Sequence, residues 1–336
     1  MYRFPNGAKK TYLSGSPGER GTSMNVLVPQ RLKKGDLIGI ICPASPVYDP
    51  SRIERGVRYL EGLGYRATVG RNAMQRQGYL AGTDDERVQD IHAMFKNKRV
   101  RGIFCARGGY GTPRLLSRID YRLIARNPKI LVGYSDITAL ALAIWKKCRL
   151  VTYHGPMLAV DLAADVNPFA EESLWRTLTS PARGATLALA DESPARVQHP
   201  GTTTGRLLGG NLSLFVSLLG TPFMPEIRRG ILFLEETGEE PYRVDRMLTH
   251  LGNAGVLSRS SGVVVGRFTD CLPRDPSSPS FSIDSIIAGT AEKTGKPFMT
   301  GFPIGHEKRM VTVPVGIRAR LDADHGVITL LEPATA

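Results

Sequence analysis

No apolar run in this chain approaches the ~20 residues that a membrane-spanning helix needs. Its first two dozen residues also lack the apolar core, roughly 7–15 residues long, of a secretory signal. Residues 2–23 are rich in Gly, Ser, Pro and Lys without periodicity, so residues 1–30 are expected to form a flexible leader. The four cysteines, Cys42, Cys105, Cys148 and Cys271, include no Cys-x-x-Cys pair, and no His-Glu-x-x-His or Cys/His spacing suggests a metal. The first three lie in apolar strand or helix patterns, so buried, reduced thiols in a cytoplasmic enzyme are expected. Lys/Arg blocks and RNA-binding aromatic motifs are missing as well. The net charge of +13 therefore reads as a basic solvated surface, with no nucleic-acid partner. Part of that excess is local, since residues 1–36 hold seven Lys/Arg against two acids.

What is present is ordinary globular material, 42% hydrophobic and 22% charged, long enough at 336 residues for two domains. Apolar runs at Leu37–Cys42, Arg66–Val69, Gly102–Ala106, Ile130–Val132 and Leu150–Tyr153 read as strands. Helical spacing separates them, at 53–63 and after the acidic first turn that follows Thr83. Strand–helix alternation predicts an α/β domain over 31–165, with a parallel sheet and helices on both faces. Residues 166–203 turn to scattered Pro, Ala and acids and are expected to be a linker region, with a helix near 171–178 and a strand near 185–189. Residues 204–336 predict a smaller mixed α/β domain.

Ligand sites in such sheets form at the carboxyl ends of strands. One such end carries Gly133-Tyr134-Ser135-Asp136, leading into the apolar-periodic segment up to Cys148. This fits a nucleophile elbow, a strained strand-to-helix turn that presents a hydroxyl, although Ile137 stands where Gly-x-Ser-x-Gly has its last glycine. The plainer alternative is a serine that N-caps the helix. A second strand end carries Arg107-Gly108-Gly109-Tyr110-Gly111. An acyl-transfer site needs two donors for its oxyanion, and the Gly109 and Asp136 amides are the candidates.

In the second half, Thr204 to Asn211 lacks the Gly-Lys-[Ser/Thr] ending of a phosphate loop, and its Gly-Gly-Asn predicts a tight turn capping a helix. The apolar run Ile231–Leu234 ends in Glu235-Glu236. Such an acid either terminates a strand or holds a histidine in one tautomer. His306, in the Gly/Pro-bounded loop Gly301 to Lys308, has the surroundings of a placed base; His154, also at a strand end, is its rival.

Six blocks, Ala106–Gly111, Gly133–Asp136, His154–Met157, Gly209–Leu212, Leu234–Thr237 and Gly305–Glu307, resemble in order the motifs of the LD-carboxypeptidase family of serine peptidases. The resemblance spans about 32–331. It implies a cofactor-free, homodimeric cytoplasmic enzyme in which Ser135 is the nucleophile, His306 the base and Glu235 its orienting acid. The first domain would supply the serine and the second the other two. The implied substrate is a murein tetrapeptide that loses its terminal D-alanine in cell-wall recycling. A common form at the acid is Leu-Glu-Asp; Leu-Glu-Glu here leaves Glu236 as a competitor. A family member that cleaves peptidyl-nucleotide conjugates for self-immunity would share these residues. A non-enzymatic α/β binding protein would use them only structurally.

Overall fold

The computed structural model describes residues 25–181, 183–187 and 195–336. Strands β1 (Leu37–Ile41), β2 (Arg66–Val69), β3 (Val100–Cys105), β4 (Ile130–Val132) and β5 (Thr152–His154) alternate with α1 (Ser51–Gly62), α2 (Asp84–Lys96), α3 (Tyr121–Arg126) and α4 (Ile137–Cys148). These strands are parallel, in the order β5-β4-β3-β1-β2. The crossover direction reverses after β2, so right-handed connections place α1 on one face and α2, α3 and α4 on the other. Helix α5 (Pro168–Thr179) joins α1: Tyr59 Oη donates to Glu171 at 2.7 Å and accepts from Trp175 Nε1 at 2.8 Å. Helix α2 starts where its sequence dictates, with Thr83 and Glu86 forming a reciprocal capping box worth about 1 kcal/mol.

The second sheet contains β6 (Thr186–Leu187), β7 (Arg196–His199), β8 (Thr202–Asn211), β9 (Ile231–Thr237), β10 (Gly262–Thr269), β11 (Phe298–Thr300), β13 (Arg318–Asp322) and β14 (Val327–Leu330). Its centre, β8-β9-β10-β11, is parallel; the flanking pairings are antiparallel. Helices α6 (Leu212–Ser217), α7 (Pro241–Asn253), α8 (Val256–Arg259) and α9 (Ile283–Thr294) connect the central strands. The chain is thus α/β, with a parallel-rich sheet in the first domain and a separate mixed sheet in the second. Among the described residues no helix is long and apolar enough to cross a membrane.

Three segments differ from their sequence reading, each because long-range pairing overrides local texture. The 166–203 region holds its expected helix and, as β6, the strand expected near 185–189, but it also supplies β7, and both strands pair into the second sheet instead of forming a linker. Strand β12 (Val313–Val315) comes late in the chain but pairs antiparallel with β5 in the first sheet. Its Pro314 is tolerated because β12 is the edge strand there. Of the expected leader, residues 1–24 lie outside the described residues. Leu27, however, exchanges backbone hydrogen bonds with Arg149 and Val151, and Pro29 O accepts from the Ala336 amide.

Helix α4 is apolar all round, from Ile137 to Trp145, and is buried accordingly. It packs against β8 between the two sheets, with Thr138 Oγ1 accepting the Asn211 amide at 3.1 Å. That contact carries the first domain's β4–α4 turn to the second domain's β8–β9 edge. All four cysteines are buried and unpaired.

Candidate active site

The β4–α4 connection is a sharp elbow. Ser135 adopts φ +62°, a left-handed conformation that costs a non-glycine residue on the order of 1 kcal/mol. Asp136 returns to helical angles and takes the N-cap position. The capping-serine alternative therefore does not hold: Asp136 is the N-cap, and among the described residues the Ser135 side chain accepts no helix amide. The elbow is fastened by Asp136, which is fully buried. Its carboxylate accepts from the Gly111 amide (3.1 Å) and the Thr112 amide (2.8 Å), and its carbonyl accepts from Thr112 Oγ1 (2.5 Å). Burial pushes the Asp136 carboxyl upward, against the pull of the Thr112 and Gly111 hydrogen bonds and the Arg87 charge.

These bonds lay the Gly-rich loop after β3 over the serine. A Cβ placed on Gly108 would lie 2.9 Å from Ser135 Cβ and 3.4 Å from the Asp136 amide nitrogen. Gly109 has φ +110°, and a Cβ there would collide with Ser45 Oγ, so glycine is required twice over. Among the described residues, neither the Gly109 nor the Asp136 N–H meets an acceptor. The loops after β1 and β3, where the strand order reverses, meet here: Ser45 N donates to Gly108 O at 3.3 Å.

The other half arrives through register. Asn211, fixed to Thr138, is paired across the β8–β9 ladder with Glu235. The helix cap expected at Gly-Gly-Asn is formed, with Asn211 as the α6 N-cap accepting the Leu214 amide, although residues 202–211 run into it as a strand and not as a tight turn. Glu235 is fully buried, and its Oε2 accepts from His306 Nδ1 at 2.7 Å. Gly305, at φ +125°, brings the histidine loop close; a Cβ there would lie 3.0 Å from Glu235 Oε2. The His306 ring meets Tyr134 edge-on, with centroids 4.9 Å apart. The structure therefore gathers His306, Glu235 and the residue next to Ser135, while Ser135 Oγ itself makes no hydrogen bond to His306 among the described residues. Unliganded sites often leave that contact open.

Glu236, the competing acid, points elsewhere. It accepts from Asn211 Nδ2 (2.9 Å), the Ser213 amide (2.8 Å) and hydroxyl (2.7 Å), and the Thr237 amide (2.8 Å). Strand alternation forces this split, since adjacent residues face opposite sides of β9.

Burial acts to lower the His306 pKa, but its Glu235 hydrogen bond, with the charges of Glu235, Glu236 and Asp161, raises it overall. The rival, His154, is buried beneath Tyr134 and Phe233, with ring centroids 5.8 and 5.6 Å away. Burial, and then His306, hold it down at about 3. It is neutral near pH 7 and closed off from solvent. Two participants went unread in the sequence. Tyr134 lies within the serine motif, but nothing local marked its ring as a wall for His306. Asp161, raised to about 6 by burial, accepts from the Met157 amide at 2.8 Å and from Tyr134 Oη at 3.4 Å. It lies where periodicity fades and gave no signal. Among the described residues no three His, Cys, Asp or Glu side chains cluster as a metal site requires.

Residues 38–155 match the model of the LD-carboxypeptidase N-terminal domain, and residues 204–321 match that of the C-terminal domain. The chain belongs to the LD-carboxypeptidase family. It is 41% identical to a probable murein peptide carboxypeptidase of Bacillus subtilis, over 88% of this chain and 91% of the relative. A solved muramoyltetrapeptide carboxypeptidase from Oxalobacter formigenes superposes with a TM-score of 0.77 at 33% identity, covering 88% and 97% of the two chains. The microcin C7 self-immunity protein MccF superposes with a TM-score of 0.85 at 27% identity, covering 92% and 100%. Family membership makes this chain a peptidase.

Proposed function

We propose that this protein is a cytoplasmic, homodimeric serine carboxypeptidase that removes the terminal D-alanine from murein tetrapeptides in cell-wall recycling. The observation that carries the reading is the 2.7 Å His306–Glu235 contact against the ring of Tyr134, whose neighbour is the strained Ser135. In the proposed mechanism His306 Nε2 takes the Ser135 proton as Oγ attacks the scissile carbonyl. The Gly109 and Asp136 amides hold the oxyanion, each donor contributing on the order of 3 kcal/mol. His306 then protonates the departing D-alanine, and water releases the acyl group by the reverse sequence. Glu235 fixes the Nδ1–H tautomer and stabilises the imidazolium. The names of the Bacillus and Oxalobacter relatives support the substrate class.

A second reading rests on the likeness to MccF, one of whose structures holds glutamyl sulfamoyl guanosine. A self-immunity peptidase would apply the same residues to a peptidyl-nucleotide amide. Mass spectrometry of D-alanine-ended muropeptides incubated with the protein separates the two. Loss of a single alanine is expected. Intact muropeptides together with a hydrolysed aminoacyl-nucleotide conjugate would replace the recycling role by the second reading.

The electrostatics set a pH dependence. His306 must be neutral to accept a proton, and its pKa is raised above the ordinary ~6.5 of histidine. Measured kcat/KM should therefore fall on acidification through a midpoint above about 6.5. A midpoint well below that value would contradict the Glu235 contact.

A further inference from the structure

One buried cation beside the elbow is not used by the chemistry above. Arg87, on α2, is 1% exposed, a rare place for a guanidinium group. Its Nη2 donates to Asp84 at 2.5 Å. Its Nη1 donates to two backbone carbonyls, Pro43 O at 2.7 Å and Gly111 O at 3.1 Å, and its Nε meets no acceptor among the described residues. Asp84 is held in turn by Arg114, whose Nε and Nη2 donate to it at 2.9 and 3.1 Å. Gly111 leaves the space that the guanidinium fills: a Cβ there would lie 2.5 Å from Arg87 Nη1.

Packing alone does not account for such a group. Desolvating an ion is costly, and an apolar side chain of similar volume often serves a buried position as well. Burial accordingly holds the Arg87 pKa down against the pull of Asp84. What an apolar residue would not do is grip two carbonyls at once. Pro43 lies in the loop after β1 and Gly111 in the loop after β3, the two loops that meet at Ser135. Gly111 is thereby fixed at both ends, its amide by Asp136 and its carbonyl by Arg87. Gly109, two residues earlier, lies directly against Ser45 of the first loop, so the spacing of the two loops aims its N–H.

We infer that Arg87 is a positioning residue for acyl transfer, its grip on the loops after β1 and β3 setting the Gly109 amide at the oxyanion. The inference rests on the carboxypeptidase reading, with Gly109 as an oxyanion donor. The amide gains an anionic acceptor only in the transition state, so loss of the grip falls on kcat and spares substrate binding.

The test uses a boronic acid analogue of the tripeptide product, with boron in place of the scissile carbonyl carbon. Ser135 Oγ bonds to boron as His306 takes its proton, and the tetrahedral adduct carries an oxygen where the oxyanion would stand. Arg87→Met, similar in length but neutral, should raise the Ki of this inhibitor about 100-fold and lower kcat in parallel, with the KM of the tetrapeptide within about threefold. Arg87→Lys keeps the charge beside Asp84 but replaces the planar fork by a point charge, so about tenfold in Ki and kcat is expected. Ki does not depend on the fraction of enzyme that is folded, so Arg87→Lys decides the matter if Arg87→Met is unstable. An unchanged Ki with a falling kcat would make Arg87 merely structural, and a KM that rises as much as Ki would place it in substrate binding. Either result overturns the inference and leaves the carboxypeptidase reading standing. A wild type that neither cleaves the tetrapeptide nor binds the boronic acid would remove that reading and the role of Arg87 with it.

Discussion

Ser135→Ala will lower peptide hydrolysis by about 10⁴-fold or more while the protein stays folded. The hydroxyl is the bond-forming atom in the proposed mechanism, and no neighbouring group replaces it: His306 is engaged with Glu235, and Asp136 is turned inward onto Gly111 and Thr112. The fold should tolerate the change because Oγ makes no hydrogen bond among the described residues. Alanine meets the same left-handed strain at φ +62° as serine does. Single-turnover assays with thermal denaturation make the check. A thermal midpoint within about 3 °C of wild type is expected. Undiminished turnover would place the nucleophile elsewhere.

Glu235→Gln will cost about 10⁴-fold in kcat, close to the serine replacement, because an amide no longer enforces the Nδ1–H tautomer. It will also move the acid limb of the kcat/KM profile to lower pH. The hydrogen bond and charge of Glu235 are what outweigh burial in raising His306, and without them burial lowers it. The charges of Glu236 and Asp161 still oppose burial in the variant. Glu236→Gln provides the contrast. It disturbs the acceptor of four hydrogen bonds, three from the start of α6 and one from the Thr237 amide, so the expected loss is about 1–3 kcal/mol of stability, with kcat falling less than about tenfold. Inverted results, with Glu236 the more damaging to kcat, would reassign the acid. Steady-state kinetics over a pH series, with urea unfolding of both variants, reads all of these quantities.

The adjacent acids show how far sequence reasoning reached. Leu234-Glu235-Glu236 marked a strand end, and the motif match favoured the first acid, but period-two alternation on β9 is what turns one inward to His306 and the other to Asn211. For the two candidate bases, spacing ranked His306 above His154 without eliminating either. Burial beneath Tyr134 and Phe233 is what removes His154. Asp161 and Ser45 had no motif to announce them, since each acts through a backbone or ring partner far away in the chain.

By itself the sequence determined the strand–helix alternation of the first domain, the elbow at Ser135, the helix start at Thr83 and the six ordered family blocks. These depend on residues a few positions apart, whose periodicity and turn chemistry act before any tertiary contact forms. Only the tertiary structure decided that β6 and β7 join the second sheet and that β12 crosses to the first. It alone brought Thr138, Asn211 and Glu235 into the line that carries His306 to the serine turn. Pairing over a hundred residues is set by which edges and apolar faces remain to be covered once the local elements exist, and no short window of sequence contains that information.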